Sequence, residues 1–323
     1  MIRIGILGAG YIAHTHIKAW LDNGEVELSG VSWASESSLN KILNKFDVPA
    51  VNDVDELLAQ SDAVDVCLPT GLHEEAVLRA AAAGKHALCE KPMAATLEAA
   101  DRMAAACRDA GVIFMAAHCL RFWPEYMYLK RAVERGQHGR LLWLDLERFS
   151  SFPDWSSRGW LTDTAQSGGP ALDLHIHDAD MISYLLGAPR AVSAREISTP
   201  SCMGIAVDYD YGGAPVAHAR GGWIAQRNYP FHMAYRAVFE SAVAEFDSRN
   251  TPAVRFTWPR GKPPAPFIQK TDGYRLQAKH FAECVANKKQ PETATAQDAR
   301  DSLALALAAR ESARTGRPVE FSA

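Results

Sequence analysis

The first thirteen residues constrain the fold of this chain more than any other stretch. Ile2-Arg3-Ile4-Gly5-Ile6-Leu7 is short, apolar and β-branched, as a buried parallel strand should be, and it runs directly into Gly8-Ala9-Gly10-Tyr11-Ile12-Ala13. A strand that ends in closely spaced glycines and continues as a helix opens a βαβ unit. The residues up to about 120 keep that rhythm. Strands are expected at Val26–Trp33, Ala63–Leu68, His86–Cys89 and Val112–Ala116. Helices are expected at Tyr11–Leu21, Ser38–Phe46, Val54–Gln60, Glu74–Ala83 and Leu97–Ala110. Such alternation calls for a doubly wound parallel sheet.

Beyond residue 120 strand-like segments such as Leu141–Phe149 and Val216–Ile224 dominate. Two helical segments then close the chain, Tyr274–Ala286 and Ala296–Arg314, the second preceded by Thr295 and Asp298 at capping-box spacing. The expected fold class is α/β. An N-terminal Rossmann domain over residues 1–120 is followed by a C-terminal α+β domain over 121–323, built on an open, largely antiparallel sheet.

Bulk properties narrow the partners. A length of 323 residues suits two domains, and a net charge of −4 gives no electrostatic footprint for nucleic acid. No apolar run approaches bilayer-crossing length, and the N-terminus lacks a leader pattern, so neither membrane nor export is expected. The six cysteines are scattered without a C-x-x-C pair, which fits reduced thiols in a cytoplasmic protein.

The glycine turn is suited to a pyrophosphate. Gly8 permits the tight turn, Gly10 allows close backbone approach, and Ala13 is small enough for helix–strand packing. Tyr11 and Ile12 open the helix whose N-terminus attracts the anion. The acid that would take ribose hydroxyls belongs about 20 residues on. That place holds Trp33-Ala34-Ser35-Glu36-Ser37-Ser38, with Trp33 at the strand end itself. Ser35 and its small neighbours leave room for a 2′-phosphate within reach of Lys41, whereas Glu36 could take the ribose. The cofactor is therefore NADP or NAD, with the balance toward NADP.

Lys91, in Glu90-Lys91-Pro92, follows a strand and should stand at a C-terminal strand end, where open α/β sheets bind ligands. Asp173 and His177 are four apart, so on one helix they share a face. A neutral His beside a carboxylate can accept a hydroxyl proton near neutral pH. The surrounding Asp173–Asp180 segment is rich in ligand-type side chains. On a helix, however, His175 points about 160° away from Asp173, so no metal site is assigned. His175 is expected to cap or pack, and Asp178 and Asp180 to be solvated. His118, Trp123, Arg158 and Trp160 are candidate substrate contacts, since aromatics suit the apolar faces of sugars and Arg158 suits hydroxyls or a carboxylate. Core or interface roles fit these four residues equally well.

Further motifs join these: His16-x-x-Ala19, Pro69-Thr70-x-x-His73, Gly84-Lys85-His86, Arg121-Phe122-x-Pro124, Gly168-Gly169 ahead of Asp173, and Glu311-Ser312-Ala313-x-x-Gly316. Together they resemble the Gfo/Idh/MocA family, the glucose–fructose oxidoreductase and inositol dehydrogenase group, over essentially the whole length. The resemblance implies an NAD(P)-dependent oxidoreductase acting on a sugar, polyol or related hydroxyl-bearing carbon. It also implies a homo-oligomer, dimer or tetramer, assembled through the open sheet. Lys91 would lie between nicotinamide and substrate hydroxyl, His177 would be the general acid/base, and Asp173 would orient it. Thr70, His73 and Glu90 would line the cofactor. Two alternatives stay open: a redox-neutral glycoside-cleaving enzyme that retains its NAD, and a non-catalytic dinucleotide-sensing protein.

Overall fold

The computed structural model describes residues 1–153, 159–224, 228–251, 253–258 and 267–321. In chain order the elements are β1 (Ile2–Leu7), α1 (Tyr11–Leu21), β2 (Val26–Ser32), α2 (Glu36–Leu43), α3 (Val54–Gln60), β3 (Ala63–Val66), α4 (His73–Ala82), β4 (His86–Cys89), α5 (Leu97–Asp109) and β5 (Phe114–Ala116). There follow α6 (Pro124–Glu134), β6 (Leu141–Ser151), α7 (Thr164–Ser167), α8 (Gly169–Asp173), α9 (His175–Leu186), β7 (Ala191–Thr199), β8 (Cys202–Asp210) and β9 (Val216–Ile224). The chain ends with β10 (His232–Phe239), β11 (Val243–Asp247), β12 (Val254–Thr257), α10 (Gly273–Ala286), α11 (Ala296–Thr315) and β13 (Val319–Glu320).

Two compact units emerge, one of Met1–Trp123 with Thr271–Arg300, the other of Pro124–Lys270 with Asp301–Ala323. The division read from the sequence, 1–120 and 121–323, gives the whole C-terminal portion to one domain, whereas α10 belongs with the first unit. The reason is apolar packing. Phe281, Ala278 and Ala282 of α10 join Ile4, Ile17 and Trp20 in one core, and Phe281 meets Trp20 edge-on at 6.2 Å.

In the first unit β1 to β5 are parallel, in the order β2-β1-β3-β4-β5. Outside β2 a single parallel bridge joins Val31 to Ala50. Counted as a strand, it makes the order the 3-2-1-4-5-6 of a dinucleotide-binding sheet. It stays one bridge long beside Pro49, which has no N–H to extend the ladder. The strand order reverses between β1 and β3, so their C-terminal ends border the crevice where such sheets bind ligands.

The second unit is an eight-stranded mixed sheet, β12-β11-β10-β6-β9-β8-β7-β13, antiparallel except for the β6–β9 pair. Residues alternate along it. Ile205, Val207 and Tyr209 of β8 are buried, and α9 packs on β6 and β9. The opposite face carries ion pairs such as Arg220–Glu147 and Arg236–Glu245. Among the described residues no helix is long and apolar enough to cross a membrane.

Candidate active site

The glycine turn is built by sterics. Gly8 has φ +107°, and a Cβ there would sit 2.7 Å from the Cys67 carbonyl oxygen, so this residue cannot carry a side chain. Its N–H donates to Ser32 Oγ at the end of β2, 3.3 Å away. Gly10 is different. It caps α1 at φ −77°, and a Cβ there would meet nothing within 4 Å. Among the described residues nothing requires a glycine at that position; close approach of a ligand would. No side chain caps α1, and its first turn holds no acid, which leaves its N–H groups to an anion. Tyr11 is exposed, Ile12 packs against the core, and Ala13 is fully buried. These features fit the pyrophosphate of a dinucleotide.

Beyond β2, the Trp33 indole N–H donates to Glu36 Oε1 at 2.8 Å, and Ser35 Oγ lies 3.2 Å from Ser37 Oγ. The residue at the strand end thus engages the nearby acid. Thr70 is buried at the start of the short turn that leads into α4. The His73 side chain is a brace: Nδ1 lies 3.0 Å from the Pro92 carbonyl and Nε2 2.8 Å from that of Leu68. Burial lowers its pKa. With one N–H the ring donates to one of the two carbonyls and packs against the other, between the end of β3 and the loop that carries Lys91.

That loop is fastened from below by a buried polar chain. The Glu90 N–H donates to Val66 O, and the Lys91 N–H donates to Glu90 Oε2 at 3.0 Å. Glu90 Oε1 lies 3.0 Å from His16 Nε2, and His16 Nδ1 lies 2.8 Å from Asp65 Oδ2. Trp20 donates to the same Asp65 oxygen at 2.7 Å. Burial works against the His16 cation, but Asp65 outweighs it and holds the ring well above its usual pKa. Burial pushes the Glu90 carboxyl up, yet His16 and then Lys91 bring it below its ordinary value. His16, Glu90 and Lys91 belong to motifs picked out in the sequence, whereas Asp65 and Trp20 do not. The overlooked signal was Asp65 itself, a carboxylate inside the otherwise apolar strand Ala63-Val64-Asp65-Val66, which demands a partner.

His16, Asp65 and Cys67 bring donor atoms within 4.8 Å of one another. The set does not suit a metal. Both His16 nitrogens face carboxylates, Trp20 occupies Asp65, and burial pushes the Cys67 thiol up to about 12. A metal needs a neutral imidazole and a thiolate.

In the second unit Gly168, at φ +73°, turns the chain from α7 into α8, where a Cβ would strike Leu172 at 2.3 Å. Asp173 and His177 do not lie on one helix, as their spacing had suggested. Asp173 ends α8, and α9 starts at His175 after Leu174, which is buried against Met203 and Trp223. From Ser167 to Asp180 every residue is buried except Asp173 and His177. The expectation that Asp178 and Asp180 are solvated is overturned, because both are wholly buried with distant partners. Arg148 grips Asp178 through Nη2 at 3.1 Å and Nε at 3.3 Å, and Ser302 Oγ donates to Asp180 at 2.7 Å. Burial still pushes the Asp178 carboxyl up. His175 packs as expected. Its Nε2 lies 2.8 Å from the Tyr209 hydroxyl, and burial, then Arg148, pushes its pKa down to about 3. A neutral ring therefore shares one hydrogen bond with the tyrosine, the tautomer setting which of the two donates. These buried bonds anchor the helix that presents His177.

The candidate substrate contacts separate. His118 is buried in the first unit, ahead of the Cys119–Phe122 turn, and Trp123 meets Tyr274 edge-on at 6.0 Å in the same unit. Trp160 packs in the second unit against the cluster of Leu161, Leu174, Met203 and Trp223. Arg158 lies outside the described residues.

Residues 2–118 match the GFO/IDH/MocA oxidoreductase family with its NAD-binding Rossmann fold, and residues 126–236 match the GFO/IDH/MocA C-terminal domain. The 1,5-anhydro-D-fructose reductase of Ensifer adhaerens is 30% identical over 99% of each chain. The 2,7-anhydro-N-acetylneuraminate hydratase of Escherichia coli is 31% identical over 58% of this chain and 50% of that one. In fold, the chain resembles the WlbA dehydrogenase of Bordetella pertussis, solved with NADH and UDP-GlcNAcA, with a TM-score of 0.82 at 23% identity over 100% of this chain and 98% of that one. The chain belongs to the GFO/IDH/MocA family of oxidoreductases, with an NAD-binding Rossmann domain followed by the family's C-terminal domain.

Proposed function

We propose that this protein moves a hydride between a nicotinamide cofactor and a hydroxyl-bearing carbon of a sugar, polyol or related compound, with Lys91, Asp173 and His177 handling the proton. The observation that carries the reading is that Asp173 and His177 are only half-buried on an otherwise fully buried and internally bonded stretch. These two titratable side chains reach solvent while their neighbours on the same well-anchored segment do not. The dinucleotide, when bound, supplies the hydride acceptor or donor. His177 takes the hydroxyl proton as general base, or returns it in reduction, and the Asp173 carboxylate orients the imidazole. The Lys91 ammonium stabilises negative charge developing on the substrate oxygen.

Gly8, Gly10, Tyr11, Ile12 and Ala13 would hold the pyrophosphate, and Trp33, Ser35, Thr70 and Glu90 the remaining cofactor groups. His73 would act on the cofactor through the loop it braces. NADP is favoured over NAD, because no acid stands at the end of β2 and Glu36 is engaged by Trp33. Cytoplasmic location and assembly into a dimer or tetramer belong to the same reading.

Purified protein titrated separately with NADPH and NADH, then assayed on 1,5-anhydro-D-fructose and myo-inositol, tests it. Lys91→Ala and His177→Ala should each lower turnover by about 10²- to 10⁴-fold while dinucleotide binding is retained. Full turnover in either variant would contradict the assignment. Similarity to a hydratase supports a second reading, a redox-neutral enzyme that retains its nicotinamide. A dinucleotide that survives desalting, with no net change in its redox state during turnover of a glycoside, would select that reading.

A further inference from the structure

We propose that His16 is a positioning residue, a buried imidazolium that clamps Asp65 and Glu90 and so couples the pyrophosphate-binding helix to the loop carrying Lys91. The clamp rests on the reading of Lys91 given above, and its geometry stands by itself. A neutral imidazole has one N–H and one lone pair. Nδ1 lies 2.8 Å from one carboxylate and Nε2 3.0 Å from another, so a neutral ring would turn a lone pair toward a buried anion. A protonated ring donates from Nδ1 to Asp65 and meets Glu90 as an ion pair, in which Nε2 makes no aligned hydrogen bond.

The surroundings agree. His16, Asp65 and Glu90 are at most 5% exposed, so water cannot substitute for either contact. Asp65 has no freedom to turn away. Trp20 donates to its Oδ2, and the Cys67 thiol lies 3.6 Å from its Oδ1. Glu90 accepts from the Lys91 N–H on Oε2, and its Oε1 faces the His16 ring at ion-pair distance. The titratable groups facing the ring are therefore Asp65 and Cys67 at the end of β3, Glu90 after β4, and Tyr274 of α10, whose ring centroid lies 5.7 Å away. Burial keeps Cys67 a thiol, and Tyr274 is likewise held above its ordinary value, with Cys119 and burial as the leading causes. Two carboxylates and one imidazolium leave one negative charge, next to which Lys91 follows in the chain.

His16 stands on α1, whose N-terminus is the glycine turn. A ligand gripped by that turn and the backbone of Lys91 are thus joined through a single residue. Removing the cation would leave two buried carboxylates together, and one must then take up a proton. Glu90 would lose either its charge or its seat, and Lys91 would lose its place.

A variant series read by NADH binding tests the clamp. His16→Gln should weaken NADH roughly tenfold, the scale of coupling within one buried network. It should also make the affinity depend on pH between 6 and 9, where native protein shows none, because a carboxyl now titrates there. His16→Gln combined with Asp65→Asn should restore tight, pH-independent binding, since the second substitution removes one of the two buried carboxylates and leaves Glu90 its charge. A purely structural role predicts a lower melting temperature, unchanged pH behaviour and no rescue, and that pattern would overturn the proposal. Should His16→Gln fail to fold, nitrogen NMR of histidine-labelled native protein decides. Both His16 ring nitrogens should be protonated at pH 8, and a neutral tautomer would overturn the clamp. Retained turnover in Lys91→Ala would instead defeat the functional reading, with the NMR result untouched.

Discussion

His16 and His175 are both sealed inside their units, yet their surroundings drive them to opposite charge states. Burial disfavours the cation in each. Asp65 reverses that effect at His16, whereas Arg148 adds to it at His175, whose pKa falls to about 3. The contrast teaches that burial sets the stakes and the neighbours set the charge. It also separates the two units by design. The first holds its loop with ions around a cation, and the second holds α9 with a neutral ring beside a separate Arg–Asp pair.

The largest effect that would test this contrast lies at that pair. Arg148→Met leaves the Asp178 carboxyl buried without its cation and should cost about 3–5 kcal/mol in urea denaturation. Adding Asp178→Asn should recover most of the loss. Unchanged stability in the single variant would mean that the pair does not anchor α9. The first unit's weak point is backbone geometry. Gly8→Ala places a Cβ against the Cys67 carbonyl at positive φ, and a cost of about 1–3 kcal/mol is expected from the strain.

The histidines themselves predict opposite pH slopes. The folded pKa of His16 is raised above 6.5, so its stabilisation is complete below that pH and is lost as pH rises through the folded value. The folded pKa of His175 is depressed, so its stabilisation is complete above pH 6.5 and is lost as pH falls toward about 3. Each proton contributes up to about 1.4 kcal/mol per pH unit. His16→Gln should therefore move the decline in stability with rising pH to the range where the uncompensated carboxyl titrates, and His175→Gln should flatten the acid decline. Slopes identical to the native protein's in either variant would sink the corresponding charge assignment.

Local signals were legible in the sequence, and distant partners were not. The glycine turn and its flanking strand and helix stand where their pattern put them. The capping box forms both its bonds, Asp298 N–H to Thr295 Oγ1 and Thr295 N–H to Asp298 Oδ2. The break at Leu174, a residue buried in one cluster with Met203 and Trp223, leaves no mark on a four-residue spacing. Asp178 and Asp180 looked solvated because their partners, Arg148 and Ser302, come from a sheet strand and a C-terminal helix far along the chain. For the same reason the His16–Glu90 link, between a helix and a strand end, lay outside any motif window.

The central claim is that the turn at Gly8–Ala13 seats a nicotinamide dinucleotide, and Gly10→Ala tests it most directly. At φ −77° with nothing within 4 Å of the new Cβ, the variant should fold with its melting temperature unchanged or slightly raised. Calorimetric titration with NADPH and NADH should then show affinity reduced at least roughly tenfold, because the methyl occupies space the pyrophosphate needs. Native affinity for both nucleotides in a fully folded Gly10→Ala protein would contradict the account.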